Sequence, residues 1–245
     1  TSAKKIPTLP SIVKFNDVQS DLIGLKSVPV GINKSSLDVE VMDYTMNVGN
    51  VISSTRLQNT EKFVKSLLEE FRIATNNNVI VIDGIKELML NTSLYPNYYI
   101  SDYDKVLENL IKYIDELIDK KQQIVGVIVI YGIYKFLSKL DDTDNLEDLL
   151  KKLKKYEKIS VIIVDDAIKI KKNRYDSWFN DNFVLTDGVW VGKGVSDSSL
   201  FNIANFSREL TKEYKNNMGF IISESTPRLI KLIDFVSTEG DDNDE

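Results

Sequence analysis

The chain contains no cysteine and no histidine. The first absence excludes disulfides and thiolate chemistry. The second removes the usual general base and the commonest metal ligand, so Ser-His-Asp triads and histidine-ligated zinc are impossible within the chain. No apolar run approaches the roughly 20 residues that a membrane-spanning helix needs, and no signal-peptide pattern is visible. Positive charge is the minority sign: 31 Lys and Arg face 37 Asp and Glu, a net charge of −6. Overall attraction to nucleic acid is therefore not favoured, although a local basic patch is compatible with that total. One further absence is local. Between Ser53 and Glu61 there is neither glycine nor lysine.

What is present is an ordinary globular composition, with 42% hydrophobic and 28% charged residues, enough for one large domain or two small ones. The chain begins at Thr1 rather than at methionine, which reads as part of something longer. "KKIPTLPSIVKF" carries Pro7 and Pro10 without periodicity and reads as a linker arm within residues 1–27. "VPVGI" (Val28 to Ile32) and the alternating "DVEVMDY" (Asp38 to Tyr44) predict strands. "NVIVIDG" (Asn78 to Gly84), "VGVIVIYG" (Val125 to Gly132) and "ISVIIVDD" (Ile159 to Asp166) are continuous apolar strands. Between them lie amphipathic helices. One is capped at Ser101, with Asp104 completing a capping box, and carries an apolar face from Val106 to Ile118. Another is capped at Asn145. Apolar strands alternating with such helices predict a mainly parallel sheet covered on both faces, with ligands bound beyond the carboxyl ends of the strands. Those ends carry Asp83, Tyr131 and Asp165–Asp166. Near the end of the chain "GVWVGKG" (Gly188 to Gly194) reads as a strand. "GFIISESTPRLIKLIDF" (Gly219 to Phe235) reads as a hairpin turning at Glu224 to Pro227. "TEGDDNDE" makes residues 239–245 an acidic tail, expected to be disordered.

The most informative stretch is "GNVISSTRLQNTEKFVKSLLEEF", Gly49 to Phe71. It predicts a strand, a turn and a helix, with Asn59 or Thr60 as the cap and Phe63, Val64, Leu67, Leu68 and Phe71 on one face. Such a turn is often a phosphate cradle, in which glycines let the backbone close on phosphate and a lysine pairs with it. This turn has neither residue type.

The order of elements resembles a RecA-type motor domain of the FtsK/SpoIIIE family, in the branch that powers type VII secretion. The stretches carrying the resemblance are "KKIPTLPSIV", "VPVGINKSSLDVEVMD" and "DGVWVGKGVSD", spread over nearly the whole chain. The resemblance implies a P-loop ATPase fold over residues 28–238. The module would be the last one in a ring-forming, membrane-anchored translocase. It would lie at the cytoplasmic face of the membrane and touch the membrane only through the parent chain. Implied partners are secreted helical proteins or their export signals, upstream ATPase modules of the same chain, and other subunits of a ring. ATP and Mg²⁺ would belong to the parent's other motor domains.

Position by position, the family's nucleotide motifs are missing here. Ser54 and Asn59 stand where the P-loop glycines belong, Thr60 at the lysine, and Glu61 at the Mg²⁺-binding hydroxyl. Tyr131 takes the Walker B aspartate position, and Asp165 lies where a sensor residue sits. Losing one ammonium about 4 Å from a phosphate oxygen forfeits roughly 4 kcal/mol at an effective dielectric near 20. Arg56 could compensate from within the turn, or it could simply be solvated. The expectation is a site that does not hydrolyse ATP, with no catalytic residue, cofactor or metal in this module.

Alternatives stay open at this level. Asp83, Asp165 and Asp166 could cluster around Mg²⁺, which would suit a divergent working ATPase, or could cap neighbouring helices. "KKLKKYEK" and "KIKKNR" could contact phosphates, as in DNA-pumping relatives, or be solvated; no nucleic acid partner is expected. Two aromatic stretches, "LYPNYYISDY" and "YDSWFNDNF", offer Tyr95, Tyr98, Tyr99, Trp178 and Phe179 as partner-docking side chains, or as core.

Overall fold

The computed structural model describes residues 8–18 and 22–236. The expected acidic tail and the first part of the linker arm lie outside the described residues. In chain order the elements are β1 (Ser27–Asn33), β2 (Val39–Asp43), β3 (Gly49–Ser54), α1 (Glu61–Ala74), β4 (Val79–Asp83), β5 (Tyr98–Tyr99), α2 (Tyr103–Asp119), β6 (Gly126–Tyr131), α3 (Ile133–Leu137), α4 (Asp144–Tyr156), β7 (Ile159–Asp166), α5 (Ala167–Lys172), α6 (Ser177–Asn180), β8 (Gly188–Val191), α7 (Val195–Ser198), β9 (Met218–Ser223) and β10 (Thr226–Leu232).

The ten strands form one sheet in the order β2-β1-β10-β9-β8-β3-β7-β6-β4-β5. From β8 to β5 all neighbours are parallel. From β8 to β2 they are antiparallel. The apolar runs account for the parallel half: β3, β4 and β6 are buried at every position, as strands covered on both faces must be. Along β6, Ile128 and Ile130 face the core beneath α2 and α4. Val127, Val129 and Tyr131 face the opposite core, beneath α1. Val13 and Val18 of the arm are buried in that second core, and Val13 bridges to Ile233.

Helix starts depart from the sequence expectation. Ser101 does not cap α2. Asp102 holds the cap position in a left-handed conformation (φ 53°), and the Ser101 hydroxyl donates to its carboxylate. Asn145 lies inside α4, which starts after Thr143, and the Asp142 carboxylate accepts the Asp144 N–H at 3.0 Å. Run-in sequences rich in small polar residues offer several competing caps, and neighbouring packing chooses among them. The carboxyl-terminal hairpin is present but tighter than Glu224 to Pro227. Only Glu224 and Ser225 turn, both at positive φ (48° and 64°), as a two-residue hairpin loop demands. Pro227 is tolerated because β10 has only β9 beside it there; its pairing with β1 runs from Ile230 to Leu232.

Candidate functional site

The carboxyl ends of β3, β4, β6, β7 and β8 gather the side chains singled out above. The chain leaves β3 at Ser54, enters a 3-10 turn from Leu57 to Thr60, and continues directly into α1. Every candidate polar group around this turn, apart from the exposed Arg56, is engaged within the protein. The buried Ser54 hydroxyl donates to the Val191 carbonyl at 2.8 Å and accepts from the Asn59 amide at 3.1 Å. Asn59 in turn accepts from the Asn216 amide at 3.1 Å. The Thr60 hydroxyl, fully buried, donates to the Leu57 carbonyl at 2.7 Å. Glu61 pairs with Lys65 one turn along α1 at 2.6 Å. Arg56 makes no ion pair among the described residues.

Tyr131 closes the turn from below. Its ring is buried to 1% exposure and its hydroxyl donates to the Leu57 carbonyl at 3.3 Å. Burial pushes the phenol well above its ordinary pKa, so it stays protonated as a donor. The next residue, Gly132, caps α3 at φ 74°, where a side chain would be strained and its Cβ would lie 2.8 Å from Ile85. This crossing of two loops pins the end of β6 under the turn.

The acidic candidates are divided among backbone duties. Asp83 is fully buried and accepts the N–H groups of Ile85, Lys86 and Leu88, together with the Tyr98 hydroxyl at 2.8 Å. Asp165 accepts from the N–H groups of Tyr134 and Asp166, with the Lys169 ammonium 3.5 Å away. Burial raises the Asp165 pKa, while those two N–H groups and Lys169 pull it down. Asp166 caps α5 by accepting the Lys169 N–H at 3.0 Å. Because β6 lies between β4 and β7, Asp83 and Asp165 are separated by two strand spacings, about 10 Å. Among the described residues no group of three or more acidic side chains is placed to hold a metal ion. The helix-capping and loop-closing reading of these carboxylates is the one the geometry supports.

At the start of α1 the side chains are thus the neutral Thr60 hydroxyl and the Glu61 carboxylate, with the buried Tyr131 ring beneath the turn.

The aromatic candidates need correction. Tyr95, Trp178 and Phe179 are core residues, with 5%, 2% and 2% exposure. Tyr95 donates to Glu69 at 2.6 Å. Trp178 and Phe179 lie on the short helix α6 and form a ring cluster with Phe183 beyond its end. Tyr98 and Tyr99 form the two-residue edge strand β5 and are half-buried. Large rings in polar loops fold inward wherever the layer beneath has room for them, and composition does not reveal that. Sequence reading also missed Asn216. Asn216 reaches the turn across 157 residues, and no local signal marks such a contact.

No family model matches the chain, and no curated protein does. Solved structures do. The architecture, a mostly parallel sheet flanked by helices, is the RecA-like ATPase fold. Solved structures similar to it include cytoplasmic domains of EssC and EccC. EssC (ATPases 2 and 3) from Geobacillus thermodenitrificans superposes with a TM-score of 0.75 at 16% identity, covering 94% of this chain and 46% of that one. The cytoplasmic domain of EssC gives 0.71 at 15% identity, with 94% and 49% covered. Thermomonospora curvata EccC (ATPases 2 and 3), in complex with a signal sequence peptide, gives 0.67 at 15% identity, with 95% and 45% covered. The chain thus spans about half the length of these solved chains.

Proposed function

We propose that the chain is a non-hydrolysing ATPase-fold module of a type VII secretion motor, serving substrate docking and motor assembly. The observation that carries this reading is the turn after β3, whose polar groups are satisfied by Val191, Asn216 and Leu57 instead of being left for phosphate. A neighbour of the same fold is described with a signal sequence peptide, which supports a role in export-signal binding. Hydrolysis falls to other modules of a longer, membrane-anchored parent on its cytoplasmic face. The other partners are those upstream modules and further subunits of a ring. Among the described residues no helix is long and apolar enough to cross a membrane.

The docking surface follows the exposed apolar groups, since the buried aromatics cannot serve. Ile168 is 72% exposed on α5. It borders a cavity of about 350 Å³ at the ends of β7 and β8, with Trp190 and Leu210 in its wall and Lys171, Lys193 and Lys212 around it. An amphipathic helix with apolar residues one turn apart fits such a groove. The test is fluorescence anisotropy with a labelled peptide copying the carboxyl-terminal helix of a secreted substrate, with and without Mg-ATP. Saturable binding that ignores ATP and falls at least about tenfold in Ile168→Asp is expected. Binding that requires ATP would overturn the reading, and so would no binding at all.

A further inference from the structure

The tyrosine-rich stretch before α2 lines a cavity at the β5 edge of the sheet. The space is about 260 Å³ and lies between β4, β5 and α2. Part of its lining is apolar: Ile80, Val106 and Leu110 are all buried. The rest is polar and comes from two sides. From the sheet edge come Asn97, whose carbonyl accepts the Val81 N–H at 2.9 Å, and Tyr99 on β5. From α2 come Asn109 and Tyr113, one turn apart on the helix. Asn78, just before β4, is fixed by donating to the Val125 carbonyl at 2.9 Å, and it packs against Gly126, where any side chain would collide with it.

Among the described residues lining this cavity none carries a charge, so nothing there would neutralise a phosphate, a carboxylate or an ammonium. Burial holds the Tyr113 phenol above its ordinary pKa, which keeps it neutral too. The side chains of Asn97, Tyr99 and Asn109 have no hydrogen-bond partner among the described residues. They offer amide N–H donors, amide oxygens and a hydroxyl that can do either. An asparagine amide can pair in two places with the edge of a base, and tyrosine rings suit a flat face. The volume falls below the roughly 300–1,000 Å³ of sites for drug-sized ligands, which favours one ring or two fused rings. We infer that this cavity binds a neutral nucleobase-type heterocycle, free of phosphate, whose donor–acceptor edge meets Asn97 and Asn109. It lies three strand positions from β3, apart from the turn there, and it does not depend on the proposed docking of export signals.

The experiment is NMR of the whole chain carrying ¹⁵N in its asparagine side-chain amides, with the Asn97 and Asn109 resonances assigned by Asn97→Ala and Asn109→Ala. The chain is titrated separately with uracil, adenine and glucose. Both resonances are expected to move saturably with at least one of the two bases and to stay put with glucose. Asn109→Leu, at an exposed position of α2, removes one amide and should weaken base binding at least about tenfold, read on Asn97. Asn202→Ala, outside the cavity and exposed, should bind as the unaltered chain does. Resonances that neither base moves would overturn the inference. So would glucose moving them as far as a base does, or undiminished binding by Asn109→Leu. If Asn109→Leu does not fold, Asn97→Ala serves in its place, read on Asn109 against the same criterion.

Discussion

The Tyr98 hydroxyl lies 2.8 Å from the Asp83 carboxylate and donates to it, joining three backbone N–H groups on the same fully buried side chain. One carboxylate thus holds together the loop after β4 and the edge strand β5. Tyr98→Phe removes only the hydroxyl. A hydrogen bond to a charged, buried acceptor contributes about 1.5–3 kcal/mol, so the variant is expected to lose that much stability in urea denaturation. An unchanged midpoint would mean that the contact adds nothing and that Tyr98 is available for other work.

Glu70 gives a pH dependence with a definite sign. Its side chain is fully buried on α1, neither oxygen has a hydrogen-bond partner among the described residues, and burial pushes its carboxyl up to about 9 from 4.5. Below about pH 4.5 both the folded and the unfolded chain hold this proton, and its contribution to stability is complete. Between about 4.5 and 9 only the unfolded chain releases it, so stability falls as pH rises, and above about 9 the slope ends. Glu70→Gln should flatten that slope and raise stability at pH 7 by on the order of 3 kcal/mol. The comparison of urea midpoints at pH 5, 7 and 9 checks it; parallel curves for the two proteins would refute it.

The absence of glycine and lysine in the turn predicts that the chain hydrolyses no ATP and binds it at millimolar affinity or weaker. Calorimetric titration with Mg-ATP is the measurement. A low-micromolar dissociation constant, about −8 kcal/mol, would show that the turn can open. Tyr131→Asp should not create activity, because the new carboxylate would be buried facing the Leu57 carbonyl.

Duplex DNA is expected not to bind at physiological salt. The net charge is −6, and the lysines that would form a basic stripe are used locally. Lys171 donates to the Ser198 carbonyl at 2.8 Å, and the Lys172 ammonium sits 4.7 Å from the Tyr134 ring centre. A mobility shift that disappears when Lys171 and Lys172 are reversed to glutamate would contradict this.

The strands of the parallel half were legible because their residue types state their environment. Runs such as "VIVI" and "VIIV" are unbroken by polar positions, as double-sided burial requires. The absence of glycine and lysine from the turn after β3 was legible too, because it shows in the letters. The contacts that the turn's polar groups make were not. Asn59 meets Asn216, and Tyr131 meets Leu57, through a chain path that only the completed sheet defines. The tyrosines and Trp178 misled for a related reason. An aromatic ring in a polar stretch has the same spelling whether it points outward or fills a gap beneath α4.

The turn after β3 has one more implication. Motors draw their stroke from a loop with two resting positions, one of them held by a terminal phosphate and its metal. Here three separate elements grip the same few residues: β8 through Ser54, the 213–217 loop through Asn59, and β6 through Tyr131. A latch fastened at three points by its own side chains has one resting position. On the function proposed above, the end of the sheet would serve as a fixed bearing against which neighbouring parts can turn, its geometry written into the amino-acid order.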